Sequence, residues 1–222
     1  STCLQTLHPS LDDAFKDLAG YVEKEYKNWY LDQLSSNWNK VIESDLGSTG
    51  KISGLAQQTD FYQDIVKNVD GKVFVIISDA MRYDVAHSLA KQLEIETKAD
   101  VEISAQQGIY PTITKYGMAA LLPHKTLGVI ENNGTTKVLV DGHPSEMSDR
   151  DSILKSYSEN SVALKYKDII SMKRDDRRAT VKGKDIIYIY HDTIDASSHN
   201  DETTVFDACD KAINEIKNLV NV

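Results

Sequence analysis

The stretch Val73-Phe-Val-Ile-Ile-Ser-Asp79-Ala-Met-Arg-Tyr-Asp84 decides the fold class of this chain of 222 residues. Its first five residues are apolar and mostly β-branched, which predicts a strand buried on both faces, as in a parallel sheet flanked by helices. The strand ends at Asp79, where open α/β sheets bind their ligands, and a helical pattern follows. A charge at that position needs a partner, which would be a metal, a helix amino terminus or a cationic side chain.

Strands and helices alternate after this stretch. The apolar runs predict strands near 73–78, 100–106, 136–140 and 185–190, and helices near 83–95, 114–122, 148–158, 163–173 and 204–219. This alternation predicts a doubly wound α/β fold, in which a mostly parallel sheet is flanked by helices on both faces. Apolar residues at three- and four-residue steps also predict a helix over 10–46. We therefore expect a helical lead-in at 1–70 and an α/β domain at 71–222.

Composition and charge exclude some classes of protein. The formal net charge of −9 argues against a free-standing binder of duplex nucleic acid, although bound divalent cations would still allow a nuclease site. No apolar run approaches the roughly 18 residues of a membrane span, so we expect no membrane partner. Cys3 and Cys209 have neither metal-ligand spacing nor the pattern of a disulfide framework, which favours a reducing cytoplasm. The start of the chain lacks the basic and apolar blocks of a signal peptide. It also lacks a Met, so we expect a fragment.

The first candidate site residues are Asp79 and Asp84. Asp79 would be a metal ligand in the functional interpretation and the N-cap of the following helix in the structural one, and its position alone does not separate the two. Asp84 lies inside the predicted helix and is expected to be a surface or helix-start carboxylate. Arg82 could pair with Asp84 or face a phosphate.

The second candidate is Thr114, in the segment Tyr110-Pro-Thr-Ile-Thr114-Lys-Tyr-Gly-Met118 between a predicted strand and a helix. A hydroxyl at a helix amino terminus, beside a metal, is well placed to become a nucleophile, because the cation lowers its pKa. Plain N-capping is the alternative, and it is the more common role of Thr at such a position.

The third candidate is the loop in Tyr188-Ile-Tyr-His191-Asp192-Thr-Ile-Asp195-Ala-Ser-Ser-His199. Asp195 and His199 have the spacing D-x-x-x-H, and a donor set of oxygen and imidazole suits zinc, manganese or a similar divalent ion. Like Asp79 and Thr114, this loop follows a predicted strand, and the strand ends of a parallel sheet converge on one edge. A solvated loop with incidental histidines is the alternative.

Three phrases of the sequence together resemble the PglZ domain, a branch of the alkaline phosphatase superfamily. They are FVIISDAMRYDVAHSLA (74–90), YPTITKYGMAALLPH (110–124) and IYIYHDTIDASSH (187–199). The lead-in VEKEYKNWYLDQLSSNW (22–38) also resembles the stretch before that domain in PglZ proteins of BREX phage-defence systems. The likeness therefore covers the chain from about Tyr21 to its end.

The resemblance implies a phosphoesterase core with two divalent metal ions, zinc or alternatively manganese. Asp79 matches the metal ligand of the first strand, and Thr114 matches a nucleophile that also contacts the metal and would form a phospho-threonine intermediate. A P-T-x-T turn in related phosphodiesterases puts Thr114 ahead of Thr112. Asp195 and His199 match the D-x-x-x-H ligand pair. Many PglZ sequences carry an acid where His199 stands, which keeps the ligand role and leaves the metal preference open.

One departure concerns the remaining ligands. The superfamily completes its metal sites with Asp-His-Gly after a later strand and with a further His, and neither follows His199. We therefore expect a truncated chain with an incomplete catalytic centre and little or no activity by itself. The leading hypothesis is part of a PglZ-type phosphatase or phosphodiesterase, acting in the cytoplasm with other defence-system proteins on a phosphate ester or nucleic acid. The alternative is a non-catalytic scaffold domain that binds partner proteins of a defence complex.

Overall fold

The structure is a computed structural model that describes residues 12–97, 99–132, 134–198 and 204–221. It divides into two compact units, Ser1–Leu55 and Ala56–Val222. Within the described ranges, we find no helix whose length and apolar character would allow it to span a lipid bilayer.

The described part of the first unit is mostly helical. Its elements are α1 (Asp12–Glu25), a π-helical segment (Tyr26–Leu31) and α2 (Asp32–Thr49). The last helix ends at Gly50, whose N–H donates to the Leu46 carbonyl at 3.1 Å and whose φ of 69° suits glycine. The predicted helix over 10–46 is confirmed from Asp12 onward, and it continues to Thr49.

The second unit alternates strands and helices. In chain order its elements are β1 (Ala56–Gln57), α3 (Phe61–Asp64), β2 (Val73–Ser78), α4 (Tyr83–Glu96), β3 (Gln106–Gln107), α5 (Thr114–Ala120), β4 (Leu127–Asn132), β5 (Thr135–Val140), β6 (His143–Pro144), α6 (Arg150–Tyr157), β7 (Ser161–Lys165), α7 (Tyr166–Ser171), α8 (Arg174–Val181), β8 (Ile186–His191), α9 (Thr193–Ser198) and α10 (Val205–Val220). Short 3₁₀ turns at Gln58–Asp60 and Val66–Asn68 flank α3. The helices predicted near 83–95, 114–122, 148–158 and 204–219 are confirmed.

The centre of this unit is a three-stranded parallel sheet in the order β2-β8-β7. Strand β2 pairs with β8 from Val73 opposite Ile186 to Ser78 opposite His191. The middle strand is buried along its whole length, because it has a strand on each side and packed side chains on both faces. The α/β class, with a mostly parallel sheet flanked by helices, is therefore confirmed.

Alternate side chains of β8 face two hydrophobic cores. Tyr188 and Tyr190 belong to a core that also contains residues of α5, β5 and α6. Ile187 and Ile189 belong to a second core with residues of α7. The period of two along the strand explains why the sequence of β8 is apolar without a polar break, and it fixes the register that holds the ends of β2 and β8 side by side.

The strand predicted near 100–106 is wrong except at its end. Only Gln106–Gln107 are extended in a ladder, where they pair in parallel with Ala56–Gln57 in a separate two-stranded sheet. Val101 and Ile103 are the only large apolar residues of the predicted strand. So little apolar surface does not stabilise a full strand in the central sheet.

The helix predicted near 163–173 is wrong at its start. Strand β7 occupies Ser161–Lys165 and pairs in parallel with β8, and α7 begins only at Tyr166. Val162 and Leu164 alternate with a period of two and pack against the second core. Burial against β8 therefore overrides the helical pattern of this short segment.

The strand predicted near 136–140 is confirmed, but it lies in an antiparallel hairpin outside the central parallel sheet. Strand β5 is present, but it pairs antiparallel with β4 and β6 in a separate three-stranded sheet. The turn between β5 and β6 is Asp141-Gly142, with φ of 49° and 84°. A two-residue turn with positive φ at both positions matches the right-handed twist of the strands, and Asp-Gly is among its preferred sequences.

Hydrogen bonds to the Asp141 carboxylate fasten this turn to the rest of the unit. Its Oδ1 accepts from the backbone N–H groups of Lys125 at 2.9 Å and Thr126 at 2.8 Å, and its Oδ2 accepts from the Tyr157 hydroxyl. Burial raises the pKa of Asp141, but the hydrogen bonds, led by that from Tyr157, outweigh burial and lower the pKa to about 2.

We expect Asp141→Asn to lower the free energy of unfolding by about 1 kcal/mol at neutral pH, because an amide loses the charge-assisted hydrogen bonds. The folded-state pKa lies below the unfolded value of about 4, so this contribution is present above about pH 4 and is lost as the pH falls toward 2. Urea denaturation of both proteins at neutral pH and near pH 2.5 measures the difference. A difference that does not change with pH would contradict the role of the charge.

Candidate active site

Asp79 lies at the carboxyl end of β2, beside the end of β8. Its N–H donates to the His191 carbonyl at 2.9 Å, and its Oδ1 accepts from the Ala80 N–H at 3.0 Å. Ala80 has a φ of 61°, a conformation that costs energy for a residue with a side chain and is often found at functional sites. Helix α4 begins only at Tyr83, so the interpretation of Asp79 as its N-cap is wrong.

Thr114 is the first residue of α5, and its side chain is exposed. Its Oγ1 lies 3.4 Å from Asp79 Oδ1, a separation at the long end for a hydrogen bond. Ile113 occupies the N-cap position and no side chain caps the helix, so the capping interpretation of Thr114 is wrong. The hydroxyl faces the end of β2 and is accessible to a molecule in solution.

Asp195 lies in α9, which follows β8. Together with Asp79 and Thr114 it lines an open cleft of about 420 Å³. Other polar residues of the lining are Gln58, Ser78 and Thr112. The structure thus brings three of the predicted site residues to one place, whereas His199 lies outside the described residues. The roles of all four as ligands or nucleophile stay predictions.

Two carboxylates dominate the electrostatics of the cleft. Burial raises the pKa of Asp79, and the charge of Asp195 raises it further. Hydrogen bonds from Ala80 and Thr114 and the charge of Arg150 lower it, without cancelling the first two effects. A pair of carboxylates that interact in a half-buried cleft is stabilised when a cation binds there.

The donor set of the cleft suits a divalent cation only in part. Asp79, Asp195 and Thr114 offer two carboxylates and a hydroxyl, which are hard oxygen ligands. Among the residues that the structure describes, no three His, Cys, Asp or Glu side chains converge to hold an ion. The described residues therefore fit a metal only as an incomplete ligand set.

Asp84 lies on the surface, as predicted. Arg82 Nε is 3.2 Å from Asp84 Oδ1, and the two side chains are 80% and 67% exposed. Ion pairs with this exposure contribute little to stability. Asp84 is a useful control for Asp79, because it is an Asp only five residues later, in the first turn of α4, and it does not line the cleft.

A buried polar network behind the strand ends was not predicted. His191 is buried, with Nδ1 2.9 Å from Ser78 Oγ and Nε2 2.9 Å from Glu215 Oε2. An ionised carboxylate can only accept, so Nε2–H donates to it. The same carboxylate oxygen accepts from the Thr193 hydroxyl at 2.6 Å. The network ties the ends of β2 and β8 and the start of α9 to α10.

The sequence did carry a signal for this network. Ala208, Ala212 and Ile216 form the buried face of α10, and Glu215 interrupts that face one turn after Ala212. A charged residue on the apolar stripe of a helix requires a buried partner. His191, at the end of a strand buried throughout, is the residue of matching chemistry.

We expect Glu215→Ala to lower the free energy of unfolding by about 1–3 kcal/mol, because the buried His191 N–H and the Thr193 hydroxyl lose their acceptor. Glu215→Gln should lose less, since an amide oxygen can still accept from the imidazole. Urea denaturation followed by circular dichroism measures both variants. An Ala variant within about 0.5 kcal/mol of the wild type would show that the network does not stabilise the fold.

Comparison with known proteins identifies the family of the chain. Residues 59–222 match the family described as the BREX system PglZ alkaline phosphatase-like domain. The chain belongs to this PglZ family. The resemblance carried by the strand-end phrases is thereby confirmed.

Two curated relatives of this PglZ-family chain are similar over most of its length. The chain is 41% identical over 214 residues to the alkaline phosphatase-like protein BrxZ of Escherichia coli O9:H4 (strain HS), a match that covers 92% of this chain and 24% of that protein. It is 38% identical over 215 residues to the alkaline phosphatase-like protein PglZ of Bacillus cereus (strain H3081.97), which covers 94% and 25%. The chain thus spans about a quarter of the length of these relatives. No solved structure matches it.

Proposed function

We propose that this PglZ-family domain supplies the nucleophile and part of the metal site of a phosphoric ester hydrolase in the intact protein. The observation that carries the proposal is the Thr114 hydroxyl, exposed at 3.4 Å from Asp79 in a cleft shared with Asp195. The alkaline phosphatase-like description of the family supports the same chemistry.

Thr114 would act by covalent catalysis. Its Oγ1 attacks the phosphorus, and the new O–P bond forms as the bond to the leaving alcohol oxygen breaks. The hydroxyl proton passes to Asp79 Oδ1, which faces the hydroxyl oxygen at 3.4 Å, and the leaving alcohol oxygen takes up a proton from water. Water then attacks the phospho-threonine, which restores the hydroxyl and releases phosphate from a monoester, or a phosphomonoester from a diester. The exposure of Thr114 leaves room for either substrate.

Divalent metal ions, zinc or alternatively manganese, would be held by Asp79, Thr114, Asp195 and His199. Bound there, they would lower the pKa of the Thr114 hydroxyl and offset the charge of the phosphoryl group. The two carboxylates in the half-buried cleft support this assignment, because the charge of Asp195 already raises the pKa of Asp79.

In the intact protein, we propose that further chain completes both the sheet and the metal site. The described strands β2 and β7 are the outer strands of the central sheet, so a doubly wound sheet could be built by additional strands at either edge. Further ligands would come from outside these residues. We place the protein in the cytoplasm, in a BREX defence system, in contact with other proteins of that system.

Hydrolysis assays on the intact protein test the proposal. The protein is stripped of metal with a chelator, reconstituted with zinc or manganese, and assayed on p-nitrophenyl phosphate, bis(p-nitrophenyl) phosphate and DNA. We expect metal-dependent hydrolysis of at least one substrate, lost on chelation and restored on addition of metal. If no substrate is hydrolysed with either metal, the alternative of a non-catalytic scaffold domain that binds defence-system proteins is favoured.

A further inference from the structure

We propose that the side-chain amide of Gln58 binds a non-bridging oxygen of the substrate's phosphoryl group, an inference that rests on the proposed function. Gln58 lies in the 3₁₀ turn before α3, far in sequence from the other residues of the cleft, and it lines the same cleft as Asp79 and Thr114. None of the motifs discussed above includes it.

A hydrogen bond to the oxygen of the Gln58 amide fixes the orientation of the group. Gln58 Oε1 accepts from the Ile109 backbone N–H at 3.0 Å. A backbone N–H can only donate, so the atom facing it is the amide oxygen and the NH₂ group must lie on the other side. One hydrogen bond thus anchors the side chain and leaves its donor directed away from Ile109.

The NH₂ group of Gln58 lies over the first turn of α5. Gln58 Nε2 is 3.3 Å from the position where a Cβ on Gly117 would stand, which is closer than most Cβ contacts. The backbone of Gly117 does not need positive φ, so the glycine provides space for the amide and not a special turn. Gly117 follows Thr114 by three residues, which puts the two on the same face of the helix.

A phosphoryl oxygen in the cleft requires a hydrogen-bond donor from the lining. Among the described residues that line it, there is no Lys or Arg. A phosphoryl oxygen beside Thr114 would therefore find the Gln58 NH₂ as its donor, and an amide does not compete with metal ligands for the cations. Two donor hydrogens on one nitrogen also allow adjustment as the phosphorus changes geometry during attack.

Three variants of the intact protein test the inference. Gln58→Glu keeps the acceptor for Ile109 and removes the donor, whereas Gly117→Ala leaves the charge unchanged and displaces the amide with a methyl group. Gln63→Glu, an exposed residue outside the cleft, is the matched control for the added charge. The probe is inorganic phosphate, titrated calorimetrically into zinc-loaded protein, with zinc affinity and thermal stability measured for each variant.

We expect Gln58→Glu to weaken phosphate binding by about 10–100-fold, and Gly117→Ala by roughly 3–10-fold, while Gln63→Glu binds as the wild type does. Zinc affinity and stability of Gly117→Ala should stay close to those of the wild type. The inference is overturned if the wild type binds no phosphate, or if either Gly117→Ala or Gln58→Glu binds it as tightly as the wild type. Because the readout is binding, a failure to hydrolyse esters would count against the proposed function alone.

Discussion

Thr114→Ala is expected to reduce hydrolysis of phosphate esters by the intact protein at least about 1,000-fold, because the variant lacks the attacking oxygen. The hydroxyl is exposed and makes no capping hydrogen bond, so the free energy of unfolding should change by less than about 0.5 kcal/mol. Steady-state rates and urea denaturation of the same preparations measure the two effects. Loss of activity without loss of stability is the combination expected of a nucleophile.

Two further substitutions sharpen this result. Thr114→Ser keeps a hydroxyl at the same place and should retain part of the activity. Thr112→Ala removes the other hydroxyl of the same loop, which also lines the cleft, and it should retain most of the activity. Full activity of Thr114→Ala together with loss in Thr112→Ala would move the nucleophile to Thr112.

Asp79→Asn should abolish activity and, in metal-free protein, leave stability unchanged or increase it near neutral pH. Removal of a metal ligand is expected to cost more than about 100-fold in rate, since even residues that only support ligands cost 10–100-fold. Burial and the charge of Asp195 raise the pKa of Asp79 in the folded state. The protonated carboxyl of Asp79 therefore stabilises the folded state. This stabilisation is fully present below the unfolded pKa of about 4, and it is lost as the pH rises through the folded-state pKa.

Asparagine cannot ionise, so the advantage of Asp79→Asn should grow as the pH rises from about 4 toward neutrality. Urea denaturation in the presence of a chelator, over that pH range, measures it. Asp84→Asn is the matched control, because its side chain is exposed, and it should leave activity unchanged. A metal-free Asp79→Asn protein that is active and less stable at every pH would show that Asp79 is structural.

The strand ends of the central sheet were predictable because local pattern and burial agree there. The apolar runs at 73–78 and 185–190 are long enough to specify a strand buried on both faces, and both are found within one residue of the prediction. The first acid after β2 and the acid in the helix after β8 then line one cleft. The juxtaposition of Asp79 and Asp195 follows from parallel pairing alone.

The parts that the sequence did not predict depend on contacts between distant segments. Strand β7 is short, and pairing with β8 decides its conformation. The hairpin of β5 and β6 turns at Asp141-Gly142, where the Asp141 carboxylate is held by residues elsewhere in the chain. Gln58 reaches the cleft through a hydrogen bond to Ile109, a pairing that no local pattern encodes. Helix α5 still brings Thr114 to Asp79, although the strand that precedes it, β3, belongs to another sheet.

The most direct test of the account is to identify the residue that becomes phosphorylated during turnover. Zinc-loaded intact protein is mixed with a phosphate ester, quenched rapidly in acid, digested and sequenced by mass spectrometry, with Thr114→Ala treated in parallel. We expect a phosphoryl adduct on Thr114 that is absent from the variant and that disappears once the phosphate ester is used up. An adduct on another residue, or turnover with no covalent adduct at any quench time, would contradict Thr114 as the nucleophile.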